Sequence, residues 1–218
     1  QQLVSGLVRA MVERGADVSK PDALILGAVG QIGAQGGHIA LVSKFDAKLP
    51  DETAALSINN YCVSSLTAIG QAAASVVSGQ TRSVLAGGVE MMSRVPFMAD
   101  NADYYADASY DRRTRYIPVA LAADRLAEDS GVSRAELDQA ALASQQRTAA
   151  AEGTPLVASR IALSGLNQEE CARPASSLDS LSALAPAFVA LGDDYHDALG
   201  GRVIDHRHTV AHAPPMAD

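Results

Sequence analysis

The run Ala23-Leu24-Ile25-Leu26-Gly27-Ala28-Val29 presents no polar side chain on either face, and it constrains the fold more than any other stretch of the chain. A run this short and without alternation predicts a strand buried on both sides, the habit of a parallel sheet. Parallel neighbours need crossovers, so helical patterns should flank the run. Upstream, Leu3, Leu7, Val8, Met11 and Val12 recur at helical spacing with Arg9, Glu13 and Arg14 turned elsewhere, and Gly15 offers a stop. Downstream, Gly30, Gly33, Gly36 and Gly37 permit a loop, and a helix is predicted from His38 to Ala47. A second apolar run, Ala54 to Ile58, leads through a polar corner into an Ala-rich helix that begins at Val63 and runs to Ser78-Gly79. A third, Ser83-Val84-Leu85-Ala86, stops at Gly87-Gly88. Strand, corner, helix and strand make a βαβ unit of an α/β fold, whose ligands gather at the carboxyl ends of the strands. The Cys62 corner and the Gly87-Gly88 corner both fall on that edge. The Gly loop carries neither GxGxxG nor GxxxxGK[ST], which argues against a phosphate cradle.

From Phe97 to Tyr116 the pattern dissolves into Asp, Asn, Tyr and Arg, a loop of the length reserved for binding or lid roles. Periodicity returns in two predicted helices marked by Leu121, Leu126, Leu137, Ala141 and Leu142. They are split at Gly131-Val132-Ser133, where Ser133 and Glu136 form a capping box. Residues 155–163 read as a weak strand, and a short helix is expected from Leu178 to Leu184. The chain stops in a His- and Pro-rich stretch with no closing element, so the domain is expected to be cut there. The expected division is a core over 1–116, an inserted, mostly helical subdomain over 117–172, and a return to the core over 173–218.

Composition removes several function classes. Lys and Arg number 17 against 25 Asp and Glu, and a net charge of −8 gives no attraction to nucleic acid or anionic membranes. No apolar run reaches about 18 residues and no signal h-region opens the chain, so neither a membrane span nor export is expected. Cys62 and Cys171 are the two cysteines, with no CxxC or Cys/His ligand cluster, which excludes a disulfide framework or structural zinc and fits a reducing cytoplasm. With 48% hydrophobic residues, three Phe and no Trp, the chain packs helix against sheet through small side chains.

Cys62 is read as sitting where a strand turns into a helix. There the unpaired amides of the first turn and the helix dipole favour an anion, hence a thiolate nucleophile. The alternative is a small apolar Cys buried in the elbow. Cys171, beside Glu170, lies in an acidic loop and is read as inert. His206, His208 and His212 suggest metal spacing, but Asp205 is the only carboxylate near them, and the reading is a solvated loop with no metal. Glu90 beside Gly87-Gly88 is read either as an acid or base or as an acceptor of backbone N–H bonds that fixes the loop.

Four stretches carry a family resemblance. Asn59-Asn60-Tyr61-Cys62-Val63-Ser64-Ser65-Leu66 resembles the thiolase nucleophile motif, and Gly87-Gly88-Val89-Glu90-Met91-Met92-Ser93-Arg94-Val95-Pro96 resembles the family's Gly-Gly-x-Glu-x-Met-Ser motif. Val132 to Ser144 is similar to a helix of the family's CoA-binding loop domain, and Arg173-Pro174 through Phe188 to the return from it. The resemblance covers roughly the N-terminal half of a thiolase, short of its first strand. It implies a thiolase-like layered fold with a mixed sheet, and an acyltransferase of fatty acid metabolism that makes or cleaves 3-ketoacyl-CoA. Acyl-CoA and CoA are the implied partners, with CoA a substrate rather than a bound cofactor, and a homodimer or homotetramer is implied. Cys62 takes the acyl group as a thioester. The family's Gly-His-Pro histidine and Cys-x-Gly cysteine belong to its second half, and neither motif occurs here.

The remaining candidate positions follow from the resemblance. Met92 is expected either to line an acyl pocket or simply to pack. Arg112, with Arg113 and Arg115, either meets CoA phosphates or pairs with Asp103, Asp107 and Asp111. The family's Asn-Ala-Ser-Gly segment, which lies along the pantetheine arm, falls on His212-Ala213-Pro214-Pro215, so Pro214 stands where a serine hydroxyl is expected. Ala40-Leu41 replaces the usual Ala-Arg, and the family's His-Met pair is absent near Ile117-Pro118. Two rival readings are a catalytically silent thiolase-like subunit and a ketosynthase-like condensing enzyme, the latter opposed by Met92-Ser93-Arg94-Val95-Pro96.

Overall fold

The computed structural model describes residues 1–106, 114 and 116–213. They form two compact units, one holding residues 1–100 and 161–167 and the other the remaining described residues. Arg112 and Pro214 lie outside the described residues.

The first unit is built on three strands, β1 (Ala23–Gly27), β2 (Ala54–Ile58) and β3 (Val84–Gly88). Their order is β2-β1-β3 and both pairings are parallel, with Ala23 opposite Ala54 on one side and Val84 on the other. Of the mixed sheet expected, the described residues contribute parallel pairs alone. All five residues of β1 are buried, as its unbroken apolar run requires. Helices α1 (Gln2–Glu13) and α2 (Ile39–Asp46) cover one face, where Val4, Val8, Ile39 and Ala40 pack with Leu24 and Leu26. Helix α3 (Ser64–Val77) covers the other, where Ala68 and Ala72 meet Ala23 and Ile25. Alternate residues of β1 thus serve opposite layers.

On the α3 face Ala23 meets Ala68 and Ala72 through small side chains, and at Gly27 there is none. A Cβ built there would lie 2.4 Å from the Ser64 carbonyl carbon and 2.5 Å from the Ser65 nitrogen. The first turn of α3 therefore rests on bare backbone at the end of β1.

The expected strand over 155–163 is not formed. Pro155–Val157 is a single 3-10 turn, capped by Thr154 Oγ1, which accepts the Leu156 N–H at 3.3 Å. Pro155 brings no N–H to a ladder and fixes φ, so the local cap wins over the apolar composition. Leu163 and Leu166 close a short antiparallel bridge instead. Leu163 lies over Gly6 of α1, where an added Cβ would come within 2.6 Å of its Cδ1.

The second unit contains α4 (Asp103–Ala106), α5 (Val119–Asp129), α6 (Arg134–Ala151), α7 (Leu178–Ser182) and α8 (Val189–Asp194). The Ser133–Glu136 capping box opens α6 as expected. Its apolar core is small: Leu121, Leu199 and Ile204, with Ile117, Leu191 and Tyr195 packed against them. Among the described residues no helix is long and apolar enough to cross a membrane.

Candidate functional site

The carboxyl ends of the three parallel strands bring three loops to one edge of the first unit. The Ala28 N–H donates to Ile58 O and the Val89 N–H to Gly27 O, each at 3.0 Å, so the loops after β1, β2 and β3 leave the sheet side by side. Cys62 lies between β2 and α3, two residues before the first helical residue, and it is exposed. That removes the reading of a buried apolar cysteine.

The elbow is held by its own polar side chains. Asn59 Oδ1 accepts the Tyr61 N–H at 3.0 Å, which supports Tyr61 at a φ of 50°, a left-handed conformation that is uncommon for an aromatic residue. Asn59 Nδ2 donates to Val29 O at 3.2 Å and ties the elbow to the loop after β1. Ser64, fully buried, accepts the Asn60 N–H at 2.9 Å and donates to Tyr61 O at 2.6 Å. Next to the elbow, Ser57 Oγ accepts the Ala40 N–H at 3.1 Å and stands 3.0 Å from His38 Nδ1, which also accepts the Leu41 N–H.

Glu90 takes the structural of its two expected roles. Its carboxylate accepts the Val29 N–H at 2.8 Å, the Gly30 N–H at 3.3 Å and Gln35 Nε2 at 2.6 Å. Gln35, 2% exposed, also donates to Gly30 O and accepts the Met91 N–H. This knot joins the Gly-rich loop to the turn after β3, where the Met91 carbonyl accepts the Arg94 and Val95 N–H groups and Met92 sits half-buried. Cys62 and Met92 thus follow β2 and β3, the two strands that flank β1, on the same edge of the sheet.

A polar network in the second unit overturns the solvated-loop reading of the histidines. Asp124 on α5 is fully buried and accepts four hydrogen bonds: from His206 Nδ1 at 2.9 Å, His208 Nδ1 at 2.6 Å, and the Arg207 and His208 N–H groups at 2.9 Å. Burial pushes its carboxyl up, but the bonds from Arg207 and His208 outweigh that and hold it below the ordinary carboxylate value. His212 donates from Nε2 to Asp138 Oδ1 at 2.8 Å, and its Nδ1 accepts the Thr209 N–H at 3.0 Å. Burial holds the His212 ring below the ordinary imidazole value, against the pull of Asp138. Arg134, one helical turn before Asp138, completes the pair at 2.9 Å. The signal that finds Asp124 is its place on the buried stripe Leu121, Asp124, Ala127 of α5. No group of three His, Cys, Asp or Glu residues among the described residues could hold a metal ion.

Cys171 is exposed, and partial desolvation of its thiol, the hydrogen bond with Glu169 and that residue's charge push the thiol above its ordinary value.

The family model described as "Thiolase, N-terminal domain" matches residues 1–193. The chain belongs to the thiolase family. It is 30% identical over 206 residues to the beta-ketoadipyl-CoA thiolase of Pseudomonas aeruginosa, covering 82% of this chain and 51% of that protein. It is 32% identical over 200 residues to the 3-ketoacyl-CoA thiolase of Erwinia tasmaniensis, covering 86% and 51%. Human mitochondrial 3-ketoacyl-CoA thiolase in complex with CoA has a similar fold, with a TM-score of 0.70, 27% identity, and 85% of this chain matched to 51% of that one. The chain therefore spans about half the length of the thiolases it matches. The thiolase fold expected from the nucleophile and Gly-Gly motifs is the one observed.

Proposed function

We propose that this thiolase is an acyl-CoA acyltransferase that forms an acyl thioester on Cys62 and makes or cleaves 3-ketoacyl-CoA. The single observation that carries the reading is an exposed cysteine in the strand-to-helix elbow at the carboxyl edge of a thiolase sheet. In the proposed step the Cys62 thiolate attacks the thioester carbonyl of acyl-CoA; a carbon–sulfur bond forms to Cys62, the one to CoA breaks, and CoA leaves with a proton. The α-carbanion of a second acyl-CoA then takes the acyl group and frees Cys62; in the cleaving direction Cys62 attacks the 3-keto carbonyl of 3-ketoacyl-CoA, the bond to the α-carbon breaks with that carbon taking a proton, and free CoA then removes the acyl group from Cys62.

Met92 is proposed to line the acyl pocket from the corner after β3, and Arg112 and Pro214 to meet CoA along its phosphates and pantetheine arm. By resemblance, a histidine that activates Cys62 and a second cysteine at the substrate α-carbon come from the part of a thiolase that this chain does not span. CoA enters as substrate and no resident cofactor is invoked. The division into a core over 1–116, a loop subdomain over 117–172 and a return over 173–218, a homodimer or homotetramer, a place in fatty acid metabolism and a cytoplasmic location belong to the same proposal.

Intact-mass measurement of the full-length protein after mixing with acetyl-CoA tests it. One acetyl adduct is expected, absent from Cys62→Ala; an adduct that survives that substitution, or none on the unaltered protein, overturns the reading. Iodoacetamide at neutral pH should label Cys62 well before Cys171, whose thiol is held in its neutral form. Faster labelling of Cys171 would count against Cys62 as the nucleophile.

A further inference from the structure

Cys62 lies outside both regular elements that flank it, so neither the sheet ladder nor the helix ladder fixes its backbone, and an isolated bridge pairs it with Asn60 alone. Its place depends on what holds residues 60, 61 and 63. The main chain supplies a long bond from the Val63 N–H to Asn60 O, at 3.3 Å, and one from the Ser64 N–H to Tyr61 O at 3.0 Å. Two hydroxyls on α3 add to these and to the Asn59 Oδ1 bond that holds the Tyr61 N–H. Asn60 Nδ2 donates to Thr67 Oγ1 at 2.9 Å, and Thr67 Oγ1 donates in turn to Val63 O at 2.9 Å. Ser64 Oγ bridges the Asn60 N–H and Tyr61 O in the same manner.

We infer that Ser64 and Thr67 are positioning residues for Cys62, strapping Asn60 to the first turns of α3 so that the turn carrying the sulfur cannot open. The inference rests on acyl transfer at Cys62 and goes beyond it by naming the groups that aim the thiol. Each hydroxyl accepts on one side of Cys62 in the sequence or at its neighbour, and spends its single O–H on a carbonyl next to the thiol. Both bonding roles are thereby used, and neither oxygen is free to rotate away. The left-handed Tyr61 gives the turn a reason to relax, and the straps oppose that relaxation. A nucleophile displaced by about 1 Å loses far more in the reacting geometry than in substrate binding, so the loss should appear in kcat rather than KM.

Thr67→Val keeps the shape and removes the oxygen, and Thr67→Ser restores the oxygen without the methyl. In the full-length protein, Thr67→Val is expected to lower kcat and the rate of Cys62 alkylation by iodoacetamide roughly tenfold, with KM for acyl-CoA changed less than about twofold, and Thr67→Ser to recover most of both. Ser64→Ala, at a buried position, should cost more, and Thr67 decides the matter if that variant does not fold. Wild-type kcat and alkylation in Thr67→Val, or a rise in KM alone, overturns the inference. Turnover retained by Cys62→Ala would overturn the proposed function instead. The alkylation rate of Cys62 across pH then decides the positioning role by itself: unchanged in Thr67→Val, it overturns that role, and slowed, it supports it.

Discussion

The two units hold their parts in place by opposite means. In the first, β1 is locked between layers of aliphatic side chains, and α3 is seated by the absence of a side chain at Gly27. In the second, three buried apolar residues form the core, while the segment 205–213 is fastened to α5 and α6 through the buried carboxylates Asp124 and Asp138. Apolar contact is non-directional and indifferent to pH, whereas a buried carboxylate holds its partners only while every bond is made. The sheet core of the first unit should therefore tolerate titration and resist added volume, and the 205–213 segment of the second should do the reverse.

The largest effect is expected at Asp124. Asp124→Ala leaves the Arg207 and His208 N–H groups and two imidazoles without their acceptor, at a cost of about 3 kcal/mol or more. Hydrogen exchange should speed up in 119–129 and 205–209 and stay slow in 23–27. Equal acceleration in both places would erase the contrast. Gly27→Ala comes next, at about 2–3 kcal/mol, because the new methyl meets backbone rather than a flexible side-chain end. Here exchange should speed up in α3 and β1 but not in α5, and Cys62 alkylation should change; a silent Gly27→Ala would show that α3 has room to move.

The smallest effect is the pH dependence. The His212 ring lies below its ordinary value in the folded protein, so below about 6.5 the unfolded chain binds a proton that the folded chain does not. Stability carried by His212 is thus fully present above that pH and is lost as pH falls toward the folded value. Protonation would also make Nδ1 a donor facing the Thr209 N–H. Exchange in 205–213 should rise on acidification from pH 7 to 5.5, and His212→Gln should flatten the response. A flat response in the unaltered protein would break the contrast from the other side.

What the sequence disclosed follows the same division. The bounds of β2, the start of α6 at its capping box and the ends of α1 and α3 rest on short-range chemistry, which a single sequence displays. The run from Ala23 continued apolar to Val29, yet β1 ends at Gly27: the Ala28 N–H makes the last ladder bond, to Ile58 O, and the Val29 N–H then turns to the Glu90 carboxylate. The exposure of Cys62 follows from the elbow's geometry, which alternation cannot report. The histidine network stayed hidden because Asp124 and His206 are joined only by the fold, across three intervening helices. Asp138 was equally silent on α6, a helix with no other buried residue.

The sheet order has a consequence for how the chain comes off the ribosome. Of the three strands, β1 emerges before the other two and sits between them, yet neither of its parallel partners is its immediate continuation; each arrives only after a helix has been made. Until Gly88 has cleared the exit tunnel, the most apolar segment of the chain has an unfilled edge. Closing such long loops before any pairing is rewarded is slow, and the nascent strand is exposed to self-association meanwhile. Helices α1 and α2, which flank β1 in sequence and pack against Leu24 and Leu26, are the parts available to shield it while it waits.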